Sequence, residues 1–475
     1  MSRAIAPAIT SYKSAAKGLS AQRLVNGYPE IQPQESGAKA RVVVWGSHGI
    51  ADAVTIGSGP IRGSFEMNDV GYIVSGDEFY SFDSAGTPTL LGGGITGSGG
   101  VSIDGDGFSI MIVNGQFGYL YVLATTTFTQ IADPDFNAAK TVTVINNYYV
   151  LDWAGTNKFF ISDLLDGSSY DALAFASAES NPDFVLAVKN RNGILLVFGA
   201  QTIESWDHTG ATDFPFQRFK GGTIERGLAA SLAVEAEDST LFFLGNDLVF
   251  YRLQGLSLVR ISTHALEDEW ADYDTTSDAF CFKISIAGHK FIYITFPTEG
   301  KTFGFDIAAN YLWHERMSFD ALGQEVKWRA NTAVTVYNKT WIGDANTSKL
   351  GQLDKNTFTE WGTPIITQLI YPPIHANGNQ VSMPKFEVDM ETGVGLTSGQ
   401  GSDPQIMLDW SDDGAKTYTS PQLWRSMGQI GEYHTRVEWG ELGSFYSRTM
   451  RLSMSDPVKR CIFAARCPGI YAESF

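Results

Sequence analysis

The chain has 475 residues, a net charge of −18, 43% hydrophobic and 18% charged residues. This length exceeds one ordinary domain, and an aromatic content of 13% excludes a disordered chain. The acidic balance argues against ordinary phosphate binding, which needs clustered Lys and Arg. Two interpretations of the charge remain open: a wall that lets DNA slide past, or a surface that keeps the protein soluble.

The cysteines and the first residues indicate where the chain is made. Cys281, Cys461 and Cys467 are few and odd in number, which argues against a disulfide framework and favours a reducing cytoplasm. No cysteine pair has zinc spacing. The opening MSRAIAPAITSYKSAAKGL lacks the continuous apolar core of a signal peptide. No apolar run approaches the roughly 20 residues of a membrane span. We therefore expect a soluble protein made inside a cell.

Three regions follow one another along the chain. Residues 1–39 form an arm of mixed polarity, in which Pro29 and Pro33 stop any helix. Residues 40–365 form a long array of β-strands. Residues 366–475 begin with the Pro-rich YPP at 371–373 and continue with longer strands.

The array is a series of apolar segments, each with two or three strands separated by Gly, Asn or Asp turns. Their starts are spaced by roughly 35 to 55 residues, near the spacing of propeller blades. The sequence therefore predicts an all-β fold: a divergent β-propeller, with a further β-rich platform domain built from the C-terminal region and the N-terminal arm. A series of β-sandwiches is the alternative. The segments are Gly71–Asp83, Phe108–Leu123, Val142–Asp163, Val185–Trp206, Leu241–Arg260, Phe280–Trp313 and Val334–Leu353.

Two Gly-rich stretches could suggest ligand sites. The cluster LGGGITGSGG at 91–100 lacks the Gly-Lys-Ser/Thr ending of a phosphate-binding loop and is followed by a strand, which favours a loop between blades. Asp104 and Asp106 in DGDG could ligate calcium, but the twelve-residue pattern with a terminal Glu is missing. A tight turn is expected for both aspartates.

The sequence SDDGAKTY at 411–418 is close to an Asp-box, a hairpin in which Asp413 would bond turn amides and Tyr418 would pack underneath. Asp-boxes occur in glycosidase propellers, where they are structural. Here the motif occurs once, outside the array, with Ala415 where Gly is expected. It predicts a structural turn.

The remaining candidate residues also have structural interpretations. The carboxylates of HALEDEW and its continuation predict a solvated acidic face with a short helix, although glycoside hydrolysis would need two such groups across a cleft. The histidines form no catalytic or metal-binding motif. The tryptophans favour blade packing, with subunit anchoring as a second possibility. These residues are Glu267, Asp268, Glu269, Asp272 and Asp274; His48, His208, His264, His289, His314, His375 and His434; and Trp206, Trp270, Trp313, Trp328, Trp341 and Trp361.

Several pieces, in one order along nearly the whole chain, resemble the packaged-DNA stabilisation proteins (tail accessory or nozzle proteins) of short-tailed bacteriophages. A departure lies at 51–61, where a proline-glycine turn is absent. The pieces are SAQRLVNGYPE, FFISDLLDG, SAESNPD, FGAQTIESW, TGATDFPFQR, TIERGLAA, RISTHALE, GHKFIYITFP and RVEWGELGSFYSRTMRLSMSDPVK.

This resemblance implies a structural protein of the virion tail, assembled in the host cytoplasm. Six copies would form a ring below the portal and its adaptor, retain packaged DNA and provide its exit channel. The implied partners are further copies, the adaptor and portal, a tail needle or plug, tailspikes or fibres, and DNA in the lumen. It implies no enzymatic activity, and we assign no catalytic, cofactor or metal residue.

Two hypotheses extend the resemblance. Part of the acidic charge lines the lumen. The arm and the C-terminal region together form the portal-facing platform, so that removing residues 1–30 abolishes docking but leaves a folded protein. Two other functions remain open: a tail-associated receptor- or carbohydrate-binding propeller, and a cellular propeller scaffold for protein partners.

Overall fold

The computed structural model describes residues 2–33, 40–178 and 183–472. Most of the SAESNPD segment and the predicted boundary at residue 39 lie outside the described residues. The described parts are almost entirely β-strand, with one α-helix at His264–Ala271 (α1) and a 3-10 turn at Ile307–Ala309. The predicted all-β class is confirmed.

The strands that precede the propeller blades are Ser2–Ile5 (β1), Tyr12–Lys13 (β2), Ala21–Val25 (β3), Gly27–Ile31 (β4), Val42–Gly46 (β5) and Gly49–Thr55 (β6). Blade 1 contains Ile61–Met67 (β7), Val70–Ser75 (β8), Glu78–Phe82 (β9) and Pro88–Gly93 (β10). Blade 2 contains Ser102–Gly105 (β11), Ser109–Val113 (β12), Gly118–Val122 (β13) and Thr127–Gln130 (β14).

Blades 3 to 5 repeat this four-stranded antiparallel pattern. Blade 3 contains Val142–Ile145 (β15), Tyr148–Trp153 (β16), Lys158–Asp163 (β17) and Asp166–Ser177 (β18). Blade 4 contains Val185–Arg191 (β19), Ile194–Gly199 (β20), Ile203–His208 (β21) and Phe216–Ile224 (β22). Blade 5 contains Val234–Glu237 (β23), Thr240–Leu244 (β24), Phe250–Gln254 (β25) and Ser257–Arg260 (β26).

Blades 6 and 7 complete the ring. Blade 6 contains Phe280–Ile286 (β27), His289–Phe296 (β28), Lys301–Asp306 (β29) and Trp313–Glu315 (β30), followed by the hairpin Met317–Phe319 (β31) and Glu325–Lys327 (β32). Blade 7 contains Ala330–Val336 (β33), Lys339–Asp344 (β34) and Lys349–Asp354 (β35), and β6 from the front of the chain is its fourth strand. Each of the seven predicted segments lies in a different blade.

Turn residues explain why these segments form hairpins. Tight two-residue turns between antiparallel strands require positive φ, which Asn, Asp and Gly adopt at little cost. Asn68 and Asp69 (φ 57° and 60°) connect β7 to β8, and Asn146 and Asn147 (φ 48° and 65°) connect β15 to β16. The sequence therefore fixes most blade hairpins locally.

Polar side chains join the innermost strands of neighbouring blades. The first strand of each blade is a sheet edge with free backbone N–H groups, which must find acceptors when they are buried. The acceptors are side-chain oxygens on alternate residues of one inner strand or on the residue just before it. The donors are backbone N–H groups of the next inner strand. The bonds are Val142 N to Ser102 Oγ (3.2 Å), Val144 N to Asp104 Oδ2 (2.9 Å), Val188 N to Thr141 Oγ1 (3.0 Å) and Asn190 N to Thr143 Oγ1 (3.1 Å).

The rest of the chain forms a β-sandwich and the strands that connect to it. The strands are Thr359–Glu360 (β36), Thr363–Pro364 (β37), Thr367–Ile370 (β38), Ile374–His375 (β39), Val381–Ser382 (β40), Lys385–Met390 (β41), Gln405–Ser411 (β42), Leu423–Ser426 (β43), Val437–Gly440 (β44), Ser444–Phe445 (β45), Ser447–Met454 (β46), Cys461–Pro468 (β47) and Tyr471–Ala472 (β48). One layer has the order β4-β5-β47-β41-β44, and the other has β3-β38-β46-β42-β43. Trp439, Phe386 and Leu452 are buried between them.

The N-terminal arm belongs to both parts of the molecule. Strand β3 pairs with β30 of blade 6 on one side and with β38 of the sandwich on the other. A continuous sheet therefore runs from the propeller through the arm into the sandwich. Removal of residues 1–30 would take out the central strand of this sheet, so the expectation that the truncated chain stays folded is untested and this topology argues against it.

Candidate assembly surfaces

The Gly-rich stretch at 91–100 begins in β10, and from Gly94 onward it forms the predicted loop between blade 1 and blade 2. The buried Arg62 side chain holds this loop through bonds to backbone carbonyls of Ile95 (3.1 Å), Thr96 (3.0 Å) and Gly99 (2.8 Å). All three guanidinium nitrogens therefore donate to backbone carbonyls. The loop is a structural connection and not a phosphate-binding loop.

The two aspartates of DGDG have different roles. Asp106 accepts bonds from the backbone N–H groups of Phe108 (2.8 Å) and Ser109 (2.7 Å), which is the predicted tight turn. The turn prediction is wrong for Asp104, which lies in β11 and accepts from Val144 of the next blade. Among the residues that the structure describes, no group of three His, Cys, Asp or Glu side chains could hold a metal.

The Asp-box-like hairpin forms the predicted structural turn. Asp413 accepts from the backbone N–H groups of Lys416 (2.9 Å) and Thr417 (3.0 Å), and these bonds lower its pKa together with those from the side chains of Ser411 and Thr417. The Tyr418 ring packs against the Arg451 guanidinium, 3.8 Å from the ring centroid.

The HALEDEW sequence forms helix α1, and two of its carboxylates are used in ion pairs. Glu267 pairs with Arg260, and Glu269 pairs with Lys13 of the arm (2.8 Å). Asp268, Asp272 and Asp274 are exposed. The acidic face is therefore partly solvated, as predicted, and partly an attachment point for the arm.

Three of the seven histidines lie close to one another where the arm meets blade 6. His48 Nε2 and Tyr28 Oη are 3.0 Å apart, His314 Nε2 and Tyr293 Oη are 3.2 Å apart, and His289 Nδ1 lies 2.7 Å from Asp306. Burial lowers the pKa of His48 to about 4 and that of His314 to about 3, so both rings are neutral at neutral pH. His264, His375 and His434 are exposed elsewhere, and His208 lies in blade 4.

The predicted tryptophans pack inside the protein. Trp206, Trp270, Trp313, Trp328 and Trp341 are buried, and half-buried Trp361 lies under the Arg329 guanidinium at 4.8 Å. Trp270 and Trp313 contact each other within one core cluster. Blade packing is therefore the role of the five buried rings, and they are unavailable as subunit anchors or as a sugar platform.

A buried polar joint, which the sequence did not reveal, connects the arm, the propeller and the sandwich. Arg316 donates to Glu360 Oε1 (2.5 Å), Asn26 Oδ1 (3.2 Å) and the His48 carbonyl (3.0 Å). Asn26 Nδ2 donates to the carbonyl of Ile366 (2.8 Å), at the start of the sandwich. These hydrogen bonds all connect groups within the chain, and the joint is structural. The one local sequence signal here was the Asn-Gly pair at 26–27, in which Asn26 has a positive φ.

Apolar side chains on the surface form the other feature that sequence patterns missed. Leu164, Leu165 and Leu173 of blade 3 are 53%, 57% and 79% exposed. On the sandwich, Trp424, Ile430 and Tyr433 are 63%, 59% and 70% exposed. Large apolar side chains that gather in this way on a surface mark interaction sites in soluble proteins.

The net charge is unevenly distributed. Residues 40–365 contain 38 Asp and Glu against 20 Lys and Arg, so that this segment accounts for the whole net charge of −18. Residues 63–139, which include most of blades 1 and 2, contain nine Asp and Glu and no Lys, Arg or His. Blades 1 and 2 therefore present a strongly acidic sector.

Comparisons with known proteins agree with this architecture. Residues 11–358 match a family model (Phage_stabilise) described as the beta-propeller of bacteriophage P22 Gp10, and residues 366–467 match one described as its beta-sandwich. A curated relative, the tail hub protein gp10 of Salmonella phage P22, is 33% identical over 129 residues, which cover 25% of this chain and 27% of the relative. The aligned part thus spans about a quarter of that relative's length.

Solved structures show only weak similarity. BamB from Moraxella catarrhalis is 11% identical with a TM-score of 0.39, over 71% of this chain and 98% of that one. The computationally designed Ika8 protein is 11% identical with a TM-score of 0.37, over 63% and 98%. Similarity at this level supports no argument about function.

Within the described ranges, no helix combines the length and apolar character that crossing a lipid bilayer requires. The two family matches follow one another along the chain in the order of the observed propeller and sandwich. The first of them alone covers more than half of the sequence. The chain therefore belongs to the phage stabilisation family typified by bacteriophage P22 Gp10.

Proposed function

We propose that this chain is a structural protein of a phage tail, a hub or nozzle that retains packaged DNA below the portal and provides its exit channel. The observation that carries this proposal is the pair of family matches, which together include the propeller and the sandwich. The relative named as a tail hub protein supports the same role. The described residues are compatible with it, because Asp104, Asp106, Asp413, Glu267 and Glu269 serve turns, ion pairs and contacts between blades.

The channel lies between copies of the chain in this proposal. Side-chain bonds of about 3 Å draw neighbouring inner strands together around the propeller axis. The axis of one propeller is therefore lined by strands that are bonded to one another, and we do not assign the DNA path to it. Several copies, six by resemblance to the family, would instead surround the DNA in a closed ring, which requires head-to-tail contacts between identical subunits.

The acidic sector of blades 1 and 2 is suited to such a channel. DNA that is held under pressure and later released must not bind its wall, and a wall without exposed cations gives phosphates no partner. The one Arg of blades 1 and 2, Arg62, is buried and bonded to backbone carbonyls. We propose that this sector faces the lumen.

The sandwich and the arm form the portal-facing platform in this proposal. The platform would bind the adaptor and portal, and the distal end would contact a needle or plug and tailspikes or fibres. The arm strands pair with both the sandwich and blade 6, which supports treating arm and sandwich together. The boundaries at 39/40 and 365/366 stay a prediction. A receptor- or carbohydrate-binding role has less support, because five of the six candidate tryptophans are buried.

The test is the DNA content of particles assembled without this gene, measured by sedimentation and nuclease protection. We expect heads that package DNA and then lose it, because the exit is open. Stable, DNA-filled but non-infectious particles would contradict the retention role and favour receptor engagement or ejection. Normal infectious particles would contradict a virion role altogether.

A further inference from the structure

The outer hairpin of blade 3 exposes an unusual amount of apolar surface. Strands β17 and β18 meet at a turn whose two residues, Leu164 and Leu165, are both more than half exposed. Further along β18 the register shifts, because Ser162 pairs with Tyr170 whereas Phe160 pairs with Phe175. The extra residues of β18, between Tyr170 and Phe175, include Leu173, which is 79% exposed. Three leucines therefore point into solvent along one hairpin.

Leu165 also has an unfavourable backbone conformation. Its φ is +62°, in the left-handed region where a side chain other than Gly, Asn or Asp is strained. The first turns of blades 1 and 3 use Asn and Asp at positive φ, and the third turn of blade 2 uses Thr126. A leucine here costs free energy in the turn and exposes apolar area as well. Residues that break two folding rules at once indicate a functional surface.

The charge around these leucines has one sign. Asp163, Asp166 and Asp171 are exposed on the same hairpin, and residues 159–188 contain no Lys, Arg or His. The hydrogen bonds of these aspartates go to the hairpin itself: from Ser169 Oγ, from Ser168 N and Oγ, and from Leu173 N. The hairpin therefore needs a partner surface that is apolar and positively charged.

The sandwich of the same chain exposes apolar side chains next to two arginines. Trp424 lies on β43, the edge strand of its sheet, and Ile430 and Tyr433 lie in the loop that follows. Arg425 and Arg436 are exposed beside them. Glu432 lies in this loop as well, and its carboxylate accepts a bond from the loop's own Gln429 N–H (2.9 Å). Trp, Tyr and Arg are the residues that contribute most to protein interfaces.

The two surfaces are on different sides of the molecule. The sandwich continues the sheet of blade 6 outward through β3. Blade 3 lies three blades from blade 6 in one direction around the seven-bladed ring and four blades in the other, so its outer hairpin faces away from the sandwich. Two different, complementary surfaces that face apart can join identical subunits head to tail.

We propose that the outer hairpin of blade 3, residues 163–173, docks on the Trp424–Tyr433 surface of the sandwich of a second copy of this chain. The leucines are buried against the aromatic side chains, and the aspartates face the arginines. This inference rests on the proposed ring assembly and names the surfaces that build it. Burial of the leucines in the assembly explains why the strained, exposed turn is kept.

The decisive variant is Leu165→Asn in the full chain, studied by sedimentation velocity over a range of concentrations. Asn tolerates positive φ, so the variant monomer should unfold at an equal or higher temperature than the wild type. Loss of the apolar contact should nevertheless weaken self-association about tenfold or more. Leu322→Asn is the matched control, since Leu322 is 83% exposed in a turn outside both surfaces. Unchanged association of Leu165→Asn would overturn the proposal.

A second measurement identifies the partner surface. Full chains that carry Cys281→Ser together with Leu173→Cys or Trp424→Cys are treated with a short bismaleimide, separately and mixed. Native Cys281 is half-buried and is therefore replaced, whereas Cys461 and Cys467 are buried. We expect covalent dimers in the mixture and not in either chain alone. Dimers of Leu173→Cys alone, or no cross-link in the mixture, would overturn the head-to-tail contact. The DNA content of particles tests the retention role separately. The proposed contact and the retention role can therefore fail independently.

Discussion

At the scale of single residues, buried polar groups hold the blades together. Asp152 of blade 3 is fully buried, and its Oδ1 accepts bonds from Lys140 N (3.0 Å), Thr141 N (2.6 Å) and Thr141 Oγ1 (2.9 Å). Its Oδ2 has no hydrogen-bond partner among the described residues. Burial raises the pKa of Asp152 to about 6, above its ordinary value of 3.8. This carboxylate therefore costs stability when it is ionised.

The raised pKa predicts how stability depends on pH. The folded state binds the proton more tightly than the unfolded state, so the free energy of unfolding should fall as pH rises from about 4 to above 6. Two pKa units correspond to about 3 kcal/mol. Asp152→Asn cannot ionise and should lack this decrease, so its stability relative to wild type should be greater at pH 7.5 than at pH 4.5. Urea unfolding of both proteins at the two pH values measures this, and parallel pH profiles would contradict it.

At the scale of elements, the arm is the structural link between the two domains. Strand β3 has sheet neighbours on both sides, and Arg23 from this strand pairs with Glu315 and Glu325 of the propeller side. The Arg23 guanidinium holds the pKa of the buried Glu315 carboxyl at about 2, although burial opposes this. Removing the strand would leave two sheet edges and a buried carboxylate without their partners.

Deletion of residues 1–30 should therefore abolish cooperative folding instead of merely preventing docking. The chain would lose β3 and β4, and with them Leu24 from the sandwich core. We expect an insoluble product or one without a sharp thermal transition in circular dichroism. Leu19→Ser is the control, because Leu19 is 73% exposed in the arm and its substitution should change little. A deleted chain that melts as sharply as the full chain would refute this account.

At the scale of the whole molecule, the propeller and the sandwich form one body. The ring is closed by β6, which precedes blade 1 in the chain but completes blade 7. The buried joint around Arg316 and Glu360 then fixes the ring to the sandwich. A single body of this kind would suit the proposed role in retaining packaged DNA.

Arg316→Met should destabilise the whole molecule by about 3–5 kcal/mol, because Glu360 would remain buried as an uncompensated charge. Lys385→Met is the matched control: its pair with Glu438 is more than a third exposed, and such pairs contribute about 0–1 kcal/mol. Urea midpoints of the two variants measure the difference. Adding Glu360→Gln to Arg316→Met should restore part of the loss, and equal losses for Arg316→Met and Lys385→Met would contradict the joint.

Local sequence patterns determined the β class, the seven blade segments and most turns, because alternation and Asn, Asp or Gly at positive φ act over a few residues. They also determined the turn at Asp413 and the connecting loop at 91–100. Family membership followed from the order of short pieces along the chain. These properties depend on residues that are neighbours in sequence.

Only the tertiary structure decided the rest. Strand β6 joins blade 7, β3 joins two domains, and Arg316 meets Asn26 and Glu360, and each of these contacts links positions far apart in the chain. The DGDG pattern predicted a turn for Asp104. The sequence could not show its bond to the next blade, because that bond depends on how the blades pack. The exposed leucines of DLLDG carry no local signal, because an apolar pair is buried or exposed according to what surrounds it. Long-range contacts have no fixed sequence period. The proposed assembly surfaces could therefore be recognised only in the folded chain.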